Sequence, residues 1–138
     1  MPKYFTVDEA NRSLTLVRRI VTDISAAHQE RMKRIVEYEQ LEAHPEGKEE
    51  RSRKLGRELR ELTDVIVGYV EELEEIGIQF KGFEPGLVDF PAMLDGRPIL
   101  LCWKLGEEKV EYWHETEAGY AGRQRLPEHL VRGSVGGE

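Results

Sequence analysis

Two residues in the C-terminal half of the chain, Asp89 and His114, have side chains that commonly bind metal ions. An imidazole nitrogen combined with carboxylate oxygens suits zinc, iron or manganese. A third ligand is expected from Glu107, Glu115 or Glu117, which lie in the same region of the chain. No second histidine stands at metal-ligand spacing from His114. The candidate metal ligands are therefore His114, Asp89 and Glu115.

Residues 119–125 form a glycine-rich segment that contains Arg123 and Arg125. Successive backbone N–H groups in such a loop can bind an anion, and an arginine can clamp a phosphate or a carboxylate. The alternative, which the many acidic residues favour, is a segment that wraps the sheet with both arginines paired to carboxylates. No Walker loop or dinucleotide fingerprint is present, and we predict no cofactor.

Two tryptophans stand close to the candidate metal ligands. Trp113 and His114 are neighbours in a predicted strand, so they point to opposite faces. Either Trp103 and Trp113 anchor the sheet on the rest of the protein, or with Tyr112 they line a ligand surface. The complete set of candidate ligand-binding residues is Asp89, Trp103, Trp113, His114 and Arg123.

Nothing in the sequence favours an enzyme. Cys102 lies in the middle of an apolar strand, where a buried thiol has a raised pKa and is unreactive, and no base stands beside it in the sequence. No serine lies in a nucleophile-elbow context. We therefore predict no catalytic residue.

Composition excludes several classes of protein. The 138 residues include 20 basic and 27 acidic side chains, for a net charge of −7, whereas a nucleic-acid binder usually has a basic excess. No apolar run is long enough to span a membrane. The single cysteine cannot form an internal disulfide, which is typical of a protein from a reducing cytoplasm.

The first 77 residues predict a helical hairpin. Thr6 and Glu9 are spaced as a capping box, and helical periodicity then predicts a helix over about 7–43. Pro45 and Gly47 end it, and a coiled-coil seam from Leu55 to Ile76 predicts a second helix over about 48–76. A short connection between two such helices makes them antiparallel.

The hydrophobic period changes from 3.6 to 2 after Gly77. Residues 78–127 predict a small antiparallel β-meander of three or four strands, with turns at 84–86 and 95–96, packed on the hairpin. Residues 128–138 predict a flexible tail. The fold class is α+β, in one structural domain.

Several sequence segments carry a family pattern, namely 5–11, 86–91, 101–107, 112–114 and 119–123. Together they resemble the bacterial domain-of-unknown-function family 2203 (DUF2203), from Phe5 to about Leu126. This resemblance implies a free-standing bacterial cytoplasmic protein. It implies no activity, ligand or catalytic residue, because the family is uncharacterised.

Apolar side chains outside the helical seam predict self-association. A second copy would cover them in a four-helix bundle; they are Leu16, Ile20, Val36, Val65 and Val70. We therefore predict a non-enzymatic homodimeric interaction or regulatory module, in which the hairpin also docks a partner protein. The alternative function is a small-ligand (anionic) or metal-binding protein with its site on the sheet side.

Overall fold

Two long helices make up the N-terminal half of the protein. The computed structural model describes residues 3–131, in which α1 (Val7–Arg12) and α2 (Leu14–Ala43) are followed by α3 (Glu49–Glu75). The predicted capping box is present: Glu9 N donates to Thr6 Oγ1, and Thr6 N donates to Glu9 Oε1, both at 3.0 Å. The predicted first helix is interrupted at Ser13. The Ser13 hydroxyl donates to Ala10 O at 2.7 Å, and such bonds compete with the helical backbone pattern.

The helices α2 and α3 are antiparallel, as predicted. Three side-chain pairs join them, and the residue numbers rise along α2 as they fall along α3. The pairs are Arg31 with Thr63, Arg34 with Glu58, and Glu37 with Arg51. Within residues 3–131, no helix combines the length and the apolar character needed to cross a bilayer.

The second half is an antiparallel sheet of five strands in the order β1-β2-β3-β4-β5. This confirms the predicted meander and adds a short fifth strand to it. The strands are β1 (Gln79–Phe83), β2 (Gly86–Leu94), β3 (Arg97–Lys104), β4 (Tyr112–His114) and β5 (Gln124–Arg125), with a 3-10 turn at Tyr120–Gly122.

The main core lies between the helices and one face of the sheet. The side chains that α2 and the sheet contribute to this core are apolar and buried. The sheet therefore packs on the end of the hairpin where α2 begins. From α2 the core receives Leu14, Val17, Ile20, Val21 and Ile24, and from the sheet Val88, Phe90, Leu101, Trp103 and Trp113.

A short helix lies at the start of the segment predicted as a flexible tail. Residues Glu128–Val131 form a short helix, α4, and Leu130 is partly buried against the core. The apolar side chain of Leu130 explains this docking, because its burial stabilises the folded segment. The rest of the predicted tail, residues 132–138, lies outside the described residues.

A close approach between the sheet and α2 occurs at Gly86. A Cβ atom added there would overlap Cγ1 of Val21, which is itself fully buried. We expect Gly86→Ala to lower the free energy of unfolding by about 1–3 kcal/mol, measured by urea denaturation. As a control, Gly68→Ala in α3 meets nothing within 4 Å and is expected to stabilise by about 0.5–1 kcal/mol. Unchanged stability of Gly86→Ala would contradict this packing.

Candidate functional site

The sheet has a second face, turned away from the core, that carries three groups able to bind a metal. Successive residues of a strand point to opposite faces. Trp103 and Trp113 point into the core, so their neighbours Cys102 and His114 point to the outer face. Asp89 lies on the same outer face, between the core residues Val88 and Phe90 of β2.

Strand register brings these three side chains together. Asp89 is directly opposite Cys102, and Cys102 is opposite Tyr112, which lies two positions before His114. One potential ligand atom from each of Asp89, Cys102 and His114 lies within 4.8 Å of the others. All three residues are buried, with exposed fractions of 3%, 1% and 1%. We call this group the outer-face cluster.

The hydrogen bonds of His114 determine where its protons lie. Nδ1 donates to the backbone oxygen of Glu115 at 2.7 Å, because a carbonyl oxygen can only accept. Nε2 lies 3.2 Å and 3.1 Å from the two carboxylate oxygens of Asp89. A neutral ring would therefore present a lone pair to a carboxylate, and two acceptors in contact repel. Either a proton or a metal cation must lie between His114 and Asp89.

Cys102 is a free thiol in this cluster. Burial raises its pKa to about 11; the charge of Arg123 opposes this shift, and the carboxylate of Asp89 adds to it. Both ring nitrogens of His114 already have partners, so neither is available to take the thiol proton. The cluster is thus not arranged as a nucleophile with its base.

Lys81 on the edge strand β1 connects the cluster to solvent. Its Nζ lies 3.5 Å from Asp89 Oδ2, and its side chain is 43% exposed while that of Asp89 is 4% exposed. The buried carboxylate of Asp89 therefore has a partly exposed positive charge beside it.

Arg123 covers the outer face next to Cys102. Its Nη2 donates to the backbone oxygen of Cys102 at 3.2 Å, and its two terminal nitrogens bind the Glu107 carboxylate at 2.7 Å and 2.9 Å. Its guanidinium carbon lies 4.1 Å from the ring centre of Tyr112 and 4.9 Å from that of Tyr120. The arginine is therefore paired with a carboxylate, as in the alternative interpretation of residues 119–125.

The predicted site residues divide between the two faces of the sheet. Asp89 and His114 meet, and Arg123 lies beside them. The tryptophans belong to the core face: Trp103 is fully buried and its Nε1 donates to Glu107 O at 3.0 Å, and Trp113 is 8% exposed. The two tryptophans therefore anchor the sheet, which is the first of the two alternatives given for them.

None of the three glutamates considered as a third ligand joins the cluster. The carboxylate of Glu115 pairs with Arg97, that of Glu107 pairs with Arg123, and Glu117 is exposed. The third group is instead Cys102, which the sequence interpretation set aside as an unreactive core thiol. Lys81 was also missed, because its sequence neighbours give no sign that it faces Asp89.

The donor types of the cluster suit a zinc ion. Thiolate, imidazole and carboxylate are all zinc ligands, and bonds of about 2.0–2.2 Å from nitrogen and oxygen leave those atoms about 3.3–3.6 Å apart in a tetrahedron. The observed separation of 3.1–3.2 Å between His114 Nε2 and the Asp89 oxygens is slightly shorter and lies in the range of a direct hydrogen bond, so a bound ion would move these atoms slightly apart. The bond from Nδ1 to the Glu115 carbonyl is the outer contact that metal-binding histidines usually make.

Comparison with known proteins gives a family for the chain. The model of a family described as an uncharacterized conserved protein, DUF2203, matches residues 3–126. The chain belongs to the DUF2203 family. This confirms the resemblance found in the sequence. No curated protein and no solved structure gives a significant match. The DUF2203 description names no activity.

The pair between Glu107 and Arg123 makes stability depend on pH. Burial alone would raise the pKa of Glu107, but hydrogen bonds from Arg123 and the Lys104 amide, together with their charges, lower it below its ordinary value of 4.5. Because the pKa of Glu107 is lowered in the folded state, its ionised carboxylate stabilises the fold at pH values above the ordinary pKa. This stabilisation is lost as the pH falls through the folded-state pKa.

We expect Glu107→Gln to be less stable than the wild type by about 1–3 kcal/mol at neutral pH. The difference should shrink as the pH falls below 4.5. Urea denaturation over a pH series measures both effects, with Glu117→Gln on the surface as the control. A difference that stays constant down to the acid limit would contradict the assigned ion pair.

Proposed function

We propose that this protein binds one divalent transition-metal ion, with zinc preferred, through Asp89, Cys102 and His114. The observation that carries the proposal is the position of His114 Nε2, 3.1 Å and 3.2 Å from the Asp89 oxygens, while Nδ1 is committed to a backbone carbonyl. A metal ion bonded to Nε2 and to the carboxylate removes the conflict between these two acceptors.

The chemistry of the donors favours zinc over the common hard cations. Magnesium and calcium prefer sets of oxygen ligands, whereas thiolate and imidazole favour softer metals. A zinc ion would also lower the pKa of Cys102, since a coordinating thiol is deprotonated. Its two positive charges would balance one thiolate and one carboxylate in a buried site, which supports the selection of a divalent ion.

Metal binding at this position would tie three strands together. The ligands belong to β2, β3 and β4. A ligand that binds only the folded state stabilises that state by mass action. We therefore propose that the metal ion acts as a structural clamp on the sheet, and we assign no catalytic step to it.

Titration of the metal-free protein with Co²⁺ tests this function. We expect saturation at one equivalent, with a thiolate-to-cobalt charge-transfer band in the near ultraviolet. Cys102→Ser should remove that band, and Glu115→Gln should leave it unchanged, because the Glu115 side chain pairs with Arg97 instead. No saturable cobalt spectrum in the wild type would end the proposal.

A second candidate function is a homodimeric interaction module. Apolar side chains remain exposed on the hairpin, with exposed fractions of 41% at Met32, 51% at Val36 and 47% at Val65. Ile20, by contrast, is buried in the core of its own chain and supports no partner surface. A second copy of the chain is the proposed occupant. A monomeric mass in analytical ultracentrifugation at micromolar concentration would contradict it.

The cellular setting is part of the same proposal. We infer a bacterial cytoplasmic protein, because the single buried thiol suits a reducing compartment. A thiolate ligand to zinc is stable in such a compartment, where oxidation to a disulfide is disfavoured. Neither a nucleic acid nor a membrane is proposed as a partner, given the net charge of −7.

A further inference from the structure

We infer that the metal ion in the outer-face cluster keeps one coordination position for a small anionic ligand, which enters beside Lys81. This inference rests on the proposed metal binding. It adds the class of ligand that would exchange at the metal, a small anion, and it gives the structural clamp one open coordination position.

The number of protein ligands leaves a position vacant on the metal. Zinc sites in proteins are usually four-coordinate, and sites with three protein ligands bind water or another small ligand in the fourth position. Among residues 3–131, the one group of His, Cys, Asp and Glu side chains that could hold a metal contains Asp89, Cys102 and His114. With one ligand atom from each residue, the described part of the chain thus supplies three ligands.

Nearby carboxylates are held by other partners. The Glu107 carboxylate makes two bonds to Arg123, and the Glu115 carboxylate pairs with Arg97 on the exposed rim of the sheet. Moving either carboxylate to the metal would break its ion pair. An external ligand is therefore expected to fill the fourth position.

The charges around the site favour an anion over a neutral ligand. Two positive charges on zinc are balanced by the Asp89 carboxylate and the Cys102 thiolate, and Arg123 is balanced by Glu107. Lys81 then remains as one additional positive charge, 3.5 Å from the carboxylate of Asp89. An anion on the metal would neutralise that charge, since opposite charges attract even near a surface.

The position of Lys81 also indicates the route of entry. The three ligand residues are 1–3% exposed, so the metal is shielded on most sides. Lys81 is on the edge strand β1, where its 43% exposed side chain lies next to Asp89. Because a flexible lysine side chain can swing into solvent, it can admit a small anion while the sheet stays in place.

The experiment uses the cobalt-loaded full-length protein and thiocyanate, a small monovalent anion, as the probe. We expect the visible cobalt bands to change with thiocyanate and to saturate at one equivalent bound. Lys81→Gln should weaken thiocyanate binding by about fivefold to tenfold, because one attractive charge is lost. Lys33→Gln is the matched control, since Lys33 lies on α2 and pairs with Glu30.

The outcomes separate this inference from the proposed function. Saturable cobalt binding with a spectrum that ignores thiocyanate would overturn the open position and leave metal binding intact. A thiocyanate response of equal strength in wild type and Lys81→Gln would overturn the role of the lysine. Absence of cobalt binding would contradict both the open coordination position and the proposed metal binding. A response weakened in Lys81→Gln but not in Lys33→Gln would support the inference.

Discussion

Replacing His114 with glutamine is expected to lower the zinc affinity of the protein by at least about 100-fold. Losing a partner that merely orients a metal ligand already costs about 10–100-fold, and His114 is placed as a ligand itself. The substitution leaves the carboxylate of Asp89 without its ring-nitrogen partner in a buried position. Two effects therefore add: one metal bond is lost, and the remaining ligands lose their alignment.

Competition with a chromophoric zinc chelator measures this affinity. His44→Gln is the control, because His44 is exposed in the turn between the helices and lies outside the outer-face cluster. Circular dichroism establishes that His114→Gln is folded, and Asp89→Asn serves as a second variant if it is not. Equal zinc affinity of wild type and both variants would rule out the assigned ligands.

Replacing Trp103 with alanine is expected to lower the free energy of unfolding by about 3–5 kcal/mol. The side chain is fully buried in the core between the sheet and the helices, and Arg18 lies over its ring. Its Nε1 also donates to Glu107 O at 3.0 Å. Removal of the indole leaves a cavity and an unpaired carbonyl oxygen.

Urea denaturation measures this loss, with Trp103→Phe as a milder variant that retains an aromatic ring in the core. Trp103→Phe should keep cobalt binding at the opposite face of the sheet, since Trp103 and Cys102 point in opposite directions. An unchanged stability in Trp103→Ala would favour the ligand-surface alternative for the tryptophans over their role as anchors.

The helical hairpin could be predicted because its boundaries depend on local chemistry. Gly77, predicted as the end of the second helix, has φ of 88°. Its N–H donates to Glu74 O at 3.0 Å, and that of Ile78 donates to Leu73 O at 2.9 Å. These two bonds make the Schellman motif, which favours glycine at this position. Such signals lie within a few residues and are visible in the sequence.

The pairing of two residues of the outer-face cluster, Asp89 and Cys102, was also accessible from the sequence. Asp95 and Gly96 both have positive φ, 52° and 80°, as a two-residue type I′ hairpin turn requires. Such a turn pairs the residues on either side of it, and counting back along both strands places Asp89 opposite Cys102. The recognised Asp-Gly turn therefore contained the information that Cys102 has a carboxylate neighbour.

The strand register of the third residue, His114, could not be predicted in the same way. Residues 105–111 connect β3 to β4, and a connection of that length sets no register by itself. The position of His114 opposite Leu100 depends on tertiary packing of Trp113 into the core. The contact between Arg123 and Glu107 joins two other segments of the chain. No local sequence pattern predicts that these two segments lie close together.

Native mass spectrometry of the untagged protein, freed of metal and then incubated with zinc, tests the proposed metal site most directly. We expect each chain to gain one zinc ion, whether the protein is a monomer or a dimer. The variant with Cys102→Ser and His114→Gln together should gain none under the same conditions. A wild-type protein that stays at its metal-free mass would contradict the site formed by Asp89, Cys102 and His114.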